Sequence, residues 1–209
     1  GLGGDTWGVR RIDNDRCAFF IADFPGHGIS TTMNLFRLQL LLNQLAPLAY
    51  DPGTLLTLLN KRIYYELPRN DYAKLFWGIY DKRQETLRYA VAGGPRALRF
   101  IAQSMTVEEL ATPSLPLGIS EDATYKTAKA AFLKGDTLLA YSDMVDSMKD
   151  PEAAHILIRT MLEMVMSHDE GDYGMRHMRL VDFVGMMTSL EANYDVPDDL
   201  AVMLFTRCE

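Results

Sequence analysis

The most restrictive feature of this sequence is a segment where an apolar run, an acidic residue, a glycine-containing turn and a helical repeat follow without a gap. Residues 17–22, Cys-Ala-Phe-Phe-Ile-Ala, are rich in β-formers and too few for a helix, so they read as a buried strand. The strand ends at Asp23 and feeds the turn Phe24-Pro25-Gly26-His27-Gly28. A helix is expected at once, over 30–46. Ser30, Thr31 and Thr32 offer N-cap hydroxyls, and Leu35, Leu38, Leu42 and Leu45 recur at helical spacing before Pro47. Asp51-Pro52 then starts a second helix, in which Leu55, Leu58, Leu59 and Ile63 share a face until Pro68.

Beyond Pro68 the period changes. Residues 75–80, 86–92 and 97–101 read as three successive strands joined by polar or glycine-containing turns, Gly93-Gly94-Pro95 among them. Residues 125–133 and 137–141 look like another strand pair, with Lys134-Gly135-Asp136 as its tight connection. From 151 to 191 the pattern is again helical, as two helices broken near 171–174. Leu157, Met161, Met164 and Val165 mark one face, and Met175, Met178 and Met186 another. The methionines read as core filler. A last strand is expected over 200–205. Strands grouped in hairpins and helices grouped in pairs imply α+β layers: two antiparallel sheets face to face with helices outside. Trp7 and Trp77 are expected to pack that sandwich.

Length and charge narrow the function. The 209 residues are 48% hydrophobic, enough for one domain with a sizeable core across 1–209, and no linker or repeat divides them. The net charge is -7 and the basic residues are scattered, which argues against a nucleic-acid surface and an anionic membrane surface. No apolar run is long enough to span a bilayer. Cys17 and Cys208 lack metal-ligand spacing and read as free thiols of a cytoplasmic protein. The start at a glycine-rich turn suggests part of a longer protein.

Four acidic positions share a setting: Asp5 after a glycine pair, Asp23 and Asp143 at strand ends, and Asp198-Asp199 just before the last strand. Carboxylates gathered from strand ends suit hard divalent cations, which take oxygen ligands and keep several waters. The four histidines show no zinc-binding spacing. Taken singly, each aspartate is also an ordinary turn or cap residue.

The words around these aspartates decide between the two readings. Gly3-Gly4-Asp5, Asp23-Phe24-Pro25-Gly26-His27-Gly28-Ile29-Ser30, the strand pair ending Ala90-Val91-Ala92-Gly93, Leu115-Pro116-Leu117-Gly118-Ile119, Gly135-Asp136 through Ser142-Asp143, and Asp198-Asp199-Leu200-Ala201-Val202 occur in that order. Together they resemble the PPM family of metal-dependent serine/threonine phosphatases, in its bacterial SpoIIE-like branch. The resemblance spans nearly the whole chain and implies an αββα sandwich holding two Mn²⁺ or Mg²⁺ ions. It implies that Asp23 bridges the two cations, with the Phe24 carbonyl completing one site, that Asp143 and Asp198 hold the other cation, and that Asp5 acts through metal-bound water. Asp23 and Asp143 would then be catalytic through activation of water, with no side-chain nucleophile. The implied substrate is a phosphoprotein, an anti-sigma-factor antagonist in this branch. An upstream sensory or receiver domain would signal through the helices 30–46 and 53–67, with Leu38 and Leu42 as an apolar face to test, and related domains often form homodimers.

The sequence departs from the family pattern in three places. Met144 replaces a glycine after the third aspartate, Ser147 stands where an acidic residue is usual, and Gly94 replaces the histidine of an AGH turn. These departures support the alternative of a degenerate docking or scaffold domain. His27 reads as a turn residue rather than a general acid, and Arg10, Arg11 and Arg16 as solvated charges rather than phosphate ligands.

Overall fold

The computed structural model describes residues 4–26, 28–47, 50–68, 71–94, 96–142, 150–167, 181–182, 185 and 201–207. Nine strands form among them: β1 (Asp5–Arg11), β2 (Arg16–Asp23), β3 (Lys74–Asp81), β4 (Thr86–Ala92), β5 (Arg96–Ile101), β6 (Thr106–Glu109), β7 (Ala128–Ala131), β8 (Thr137–Tyr141) and β9 (Val202–Thr206). Helices α1 (Ile29–Leu45) and α2 (Pro52–Glu66) follow β2, and α3 (Pro151–Ser167) lies between β8 and β9.

The strands make two antiparallel sheets, ordered β1-β2-β3-β4-β7 and β6-β5-β8-β9. Three apolar layers hold them. Leu38, Leu42, Leu55, Leu59 and Ile63 of α1 and α2 pack on Ala18, Ala22, Leu75 and Trp77 of the first sheet. Phe19, Ile21, Phe76 and Tyr89 meet Leu138, Ala140 and Met203 between the sheets. Ile158, Met161 and Leu162 of α3 cover Leu98, Phe100 and Leu139 on the far side. This is the αββα sandwich expected. Because the first sheet is covered on both faces, β2 and β3 read as unbroken apolar runs instead of alternating ones.

Several local expectations are corrected. Residues 5–11 form a strand that the glycine-rich start concealed, and β6 was likewise unmarked. Residues 125–133 and 137–141 are not a hairpin: β7 pairs with β4 in one sheet, and β8 pairs with β5 and β9 in the other. The turn at Lys134-Gly135 therefore crosses between layers. Phe132, fully buried between the sheets, and Asp136 fix the crossing. Gly28 is the N-cap of α1 with no side-chain bond, and the Thr32 hydroxyl instead donates back to the Gly28 carbonyl at 3.0 Å.

On α3 the buried face is set by Ile158, Met161, Leu162 and Met166, while Leu157 and Met164 are exposed. Trp77 is buried on the helix side of its sheet, whereas Trp7 on the edge strand is 61% exposed. Leu38 and Leu42 are core residues, so they offer no free surface. The second expected helix, with Met175, Met178 and Met186, lies outside the described residues apart from helical positions 181, 182 and 185. No helix among the described residues is long and apolar enough to cross a membrane.

Asp51 caps α2 as the sequence predicts, its carboxylate accepting from Thr54 N at 3.0 Å and from the Thr127 hydroxyl at 2.8 Å. Deeper in α2, Asn60 is fully buried. Its amide donates to the Ser120 carbonyl at 2.8 Å, and its oxygen accepts from Gly118 N at 2.9 Å, tying the Pro116-Leu117-Gly118 loop to the helix.

Tyr125 packs beside it, its hydroxyl donating to the Pro116 carbonyl at 3.3 Å, and burial pushes its phenol up to about 12. This value exceeds the ordinary tyrosine value of about 10, so the neutral phenol contributes stability that is complete below about pH 10. That contribution is lost as the pH rises through about 12. Melting temperatures read by circular dichroism between these limits should fall steeply, and Tyr125→Phe should flatten part of the fall. An unchanged slope in that variant would assign the loss to other groups.

Candidate metal centre

The first strand pair brings two of the predicted ligands face to face. In the antiparallel register of β1 and β2, Asp5 lies directly opposite Asp23. Directly paired positions place their Cβ atoms roughly 4.5–5.5 Å apart on one face. Asp23 is 4% exposed, and like charges at such a position destabilise a sheet. Next along the same register, Asp23 pairs with Lys74 of β3. Lys74 was missed by sequence reasoning, since a lysine before an apolar strand resembles any solvated flank. Only the pairing register shows that it stands beside the carboxylates.

The Phe24 carbonyl is built into the same corner. Phe24 N donates to the Gly4 carbonyl at 3.0 Å, and the Phe24 ring is buried beneath the helices. A Cβ placed at Gly4 would fall 2.1 Å from the Phe24 carbonyl oxygen, so only glycine lets the two backbones approach there. The Gly-Gly-Asp opening is thereby explained: the second glycine makes room for the carbonyl and the aspartate faces Asp23.

Asp143 and Asp198 lie outside the described residues, as do His27, Met144, Ser147 and Asp199. Their described neighbours in sequence, however, converge. Ser142 N donates to the Ala201 carbonyl and Ala201 N to the Ser142 hydroxyl, both at 3.0 Å, extending the β8–β9 pairing. These strand ends face the same end of the sandwich as Asp23. Ala92 ends β4 one register step from Lys74, and β5 then begins at Arg96, opposite Tyr141.

The turn that makes this passage runs through Gly93 and Gly94, at φ +68° and +99°. A side chain at Gly93 would meet Pro116 Cγ at 2.5 Å. The departure at Gly94 thus coincides with a left-handed backbone that glycine adopts without strain.

Among the described residues no group of three or more metal-ligating side chains occurs. What is present is two opposed carboxylates and a backbone carbonyl set into a glycine cradle. This all-oxygen set fits a hard divalent cation, whose charge would offset the paired aspartates.

Of the surface arginines, Arg16 forms a two-pronged bond to Asp13 and Arg11 bonds the Asp13 carbonyl and Asn14, so both belong to the β1–β2 turn. The Arg16 guanidinium beside Asp13 holds its carboxyl down at about 2. Cys17 is a free thiol, pushed up by burial, and Cys208 lies outside the described residues.

Fold and corner together define a class, the PP2C-type sandwich. The PP2C phosphatase domain of SpoIIE from Bacillus subtilis superposes with a TM-score of 0.76 at 16% identity, covering 98% of this chain and 58% of that one. RsbX, solved in complex with magnesium, superposes at 0.70 with 18% identity, covering 98% of this chain and 87% of that one. The sequence places the chain more narrowly. The family model described as Stage II sporulation protein E (SpoIIE) matches residues 13–207, and the chain belongs to that family. Its relative "Phosphoserine phosphatase RsbP" from Bacillus subtilis (strain 168) is 28% identical over 157 residues, which is 73% of this chain and 38% of RsbP. The chain therefore spans well under half of that relative's length.

Proposed function

We propose that this chain is a metal-dependent phosphatase domain that removes phosphate from phosphoserine or phosphothreonine on a regulatory protein of the cytoplasm. The observation that carries the reading is the Asp5–Asp23 pair, opposed across β1 and β2 beside the Phe24 carbonyl, in a SpoIIE-family chain. The phosphoserine phosphatase RsbP supports the reaction, and the magnesium of RsbX supports the ion class.

Asp23 and the Phe24 carbonyl would hold one Mn²⁺ or Mg²⁺, and Asp143 and Asp198 a second, with Asp5 acting through water. Bound divalent cations supply charge neutralisation for a phosphoryl group and activate water for in-line attack. The chain's own contribution is positional. The β1–β2 register places two carboxylates opposite each other, and Gly4 leaves room for the Phe24 carbonyl beside them. Lys74 adds a positive charge at the next register position. A substrate of the anti-sigma-factor-antagonist class, an upstream sensory or receiver domain and pairing of two copies complete the proposal.

The test is hydrolysis of p-nitrophenyl phosphate and of a phosphoserine peptide by the 209-residue chain, with Mn²⁺ or Mg²⁺ and with chelator. Turnover should require the cation, vanish with chelator and return on adding metal. Tight cation binding without turnover of either substrate would sink the enzymatic reading in favour of a docking domain.

A further inference from the structure

Asp5, Asp23 and Lys74 stand in one row across β1, β2 and β3, because Asp23 pairs with Asp5 on one side and with Lys74 on the other. Directly paired positions put their side chains on the same face of a sheet. Here that face looks toward the second sheet, since Ile21 and Phe76, two residues along from Asp23 and Lys74, are buried between the sheets. The row lies where its three strands begin or end, so it borders the mouth of the sandwich.

Two further observations fix where the lysine reaches. One step beyond the Leu75–Ala92 pair, Lys74 comes level with Gly93, and a Cβ added at Gly94 would begin 3.9 Å from the lysine Cδ. The aliphatic stem therefore runs beside the Gly93-Gly94 turn. That turn leads to Arg96, which lies opposite Tyr141, and Ser142 and Asp143 follow Tyr141 in sequence. Arg96 itself is turned to Glu109, 3.6 Å away. The half-buried lysine is thus placed between the Asp5–Asp23 pair of one sheet and the strand end that leads to Asp143 in the other.

Two opposed carboxylates repel, and an ammonium group on the neighbouring strand offsets part of that repulsion. A divalent cation neutralises the same carboxylates more strongly, but it is itself repelled by the ammonium already beside them. Lysine and metal are rivals for one set of charges. We propose that Lys74 is a resident counter-cation of the metal centre, which steadies the aspartate row in the metal-free protein and sets the threshold that a divalent ion must exceed to enter. It is a positioning residue, acting on the ligands through its charge. The inference rests on the proposal that a divalent cation binds at this corner.

The 209-residue chain and its Lys74→Met variant are compared in two measurements that need no turnover. With chelator, Lys74→Met should melt about 2–4 °C lower, the scale of one opposite-charge pair in a chain of this size. In an Asp23→Asn background the same substitution should have less than half that effect, because one of the charges it balances is gone. By calorimetry, Mn²⁺ should bind Lys74→Met about tenfold more tightly than the parent, since a unit charge near a divalent ion has been removed. Lys74→Arg, which keeps the charge, should return both values toward the parent. A merely structural lysine would weaken folding and metal binding together, so opposite signs of the two shifts are the signature. Mn²⁺ binding that Lys74→Met leaves unchanged or weakens, or a chelated melting temperature that it does not move, would overturn this inference alone. A parent chain that binds no Mn²⁺ would overturn it together with the metal reading.

Discussion

Asp23→Asn is expected to lower Mn²⁺-dependent phosphatase turnover by about 10³-fold or more while leaving the metal-free protein as stable as the parent, or slightly more so. The loss follows from the role proposed for Asp23 as a carboxylate that would hold a divalent cation, whose charge stabilisation amounts to several kcal/mol in such sites. The stability expectation follows from the register. Asp5 and Asp23 are directly opposed, and like charges in that position destabilise the sheet. Removing one charge relieves that cost when no cation is present, set against the loss of a charge paired in register with Lys74.

The same substitution should abolish the thermal stabilisation that Mn²⁺ gives the parent, about 2.7 kcal/mol at a hundredfold excess over Kd. Three readings from one variant therefore have to agree: turnover, chelated melting temperature and metal-induced shift. A variant that keeps its metal-induced shift and its turnover would remove Asp23 from the centre.

The second large effect lies in the other sheet. Asp136 is 1% exposed and accepts four hydrogen bonds: from Arg99 Nε at 3.1 Å, Arg99 Nη2 at 2.7 Å, Ala102 N at 3.0 Å and Leu133 N at 2.9 Å. Arg99 is itself 6% exposed, and its remaining carboxylate partner, Glu108 at 2.7 Å, is at the solvent edge. Asp136→Asn leaves a buried guanidinium short of its counter-charge and turns an amide N–H toward backbone donors. The expected destabilisation is about 3–5 kcal/mol, a fall of roughly 10 °C in melting temperature for a chain of this size.

The double variant Arg99→Met with Asp136→Leu should recover much of that loss, because replacing both partners removes the unpaired charge. Urea unfolding of the single and double variants measures both. A single variant within about 0.5 kcal/mol of the parent would mean that the pair contributes little to holding the crossing between the sheets.

Asp136 also shows how a family word can be read correctly and still conceal its physics. The Gly-Asp of the segment leading to Asp143 was legible as a motif, but periodicity and spacing give no sign that this aspartate anchors a turn between layers. The turn looked like a hairpin because a short Lys-Gly-Asp link between two apolar runs is what hairpins show locally. Pairing choice is a long-range matter: Phe132 is buried between the sheets and Arg99, 37 residues earlier, takes the carboxylate.

Elsewhere local rules sufficed. Asp51-Pro52 starts α2, residues 86–92 are the strand predicted, and α1 spans Ile29–Leu45 against an expected 30–46. The α3 face was misread by one step, since an amphipathic stretch rich in leucine and methionine offers two adjacent stripes and only the facing sheet chooses between them. The fully buried Asn60 was passed over because a polar residue inside an apolar face gives no sign of the loop that satisfies it. In the candidate site, Asp5, Asp23 and Phe24 were legible and are gathered at one corner, whereas Lys74 needed the register.

The order of the strands has a consequence for the chain as it is made. Everything in the five-stranded sheet comes from residues 5–131, so the ribosome can release that sheet, its helices and the aspartate pair as a unit. The second sheet must wait. Its strand β8, at residues 137–141, finds its outer partner only when residues 202–206 emerge. During that interval Leu138 and Ala140 belong to a strand with one bare edge, the kind of surface that recruits other chains. Translation that pauses between α3 and β9 would thus expose a half-closed sandwich, and residues 202–206 decide whether the molecule closes on itself or on a neighbour.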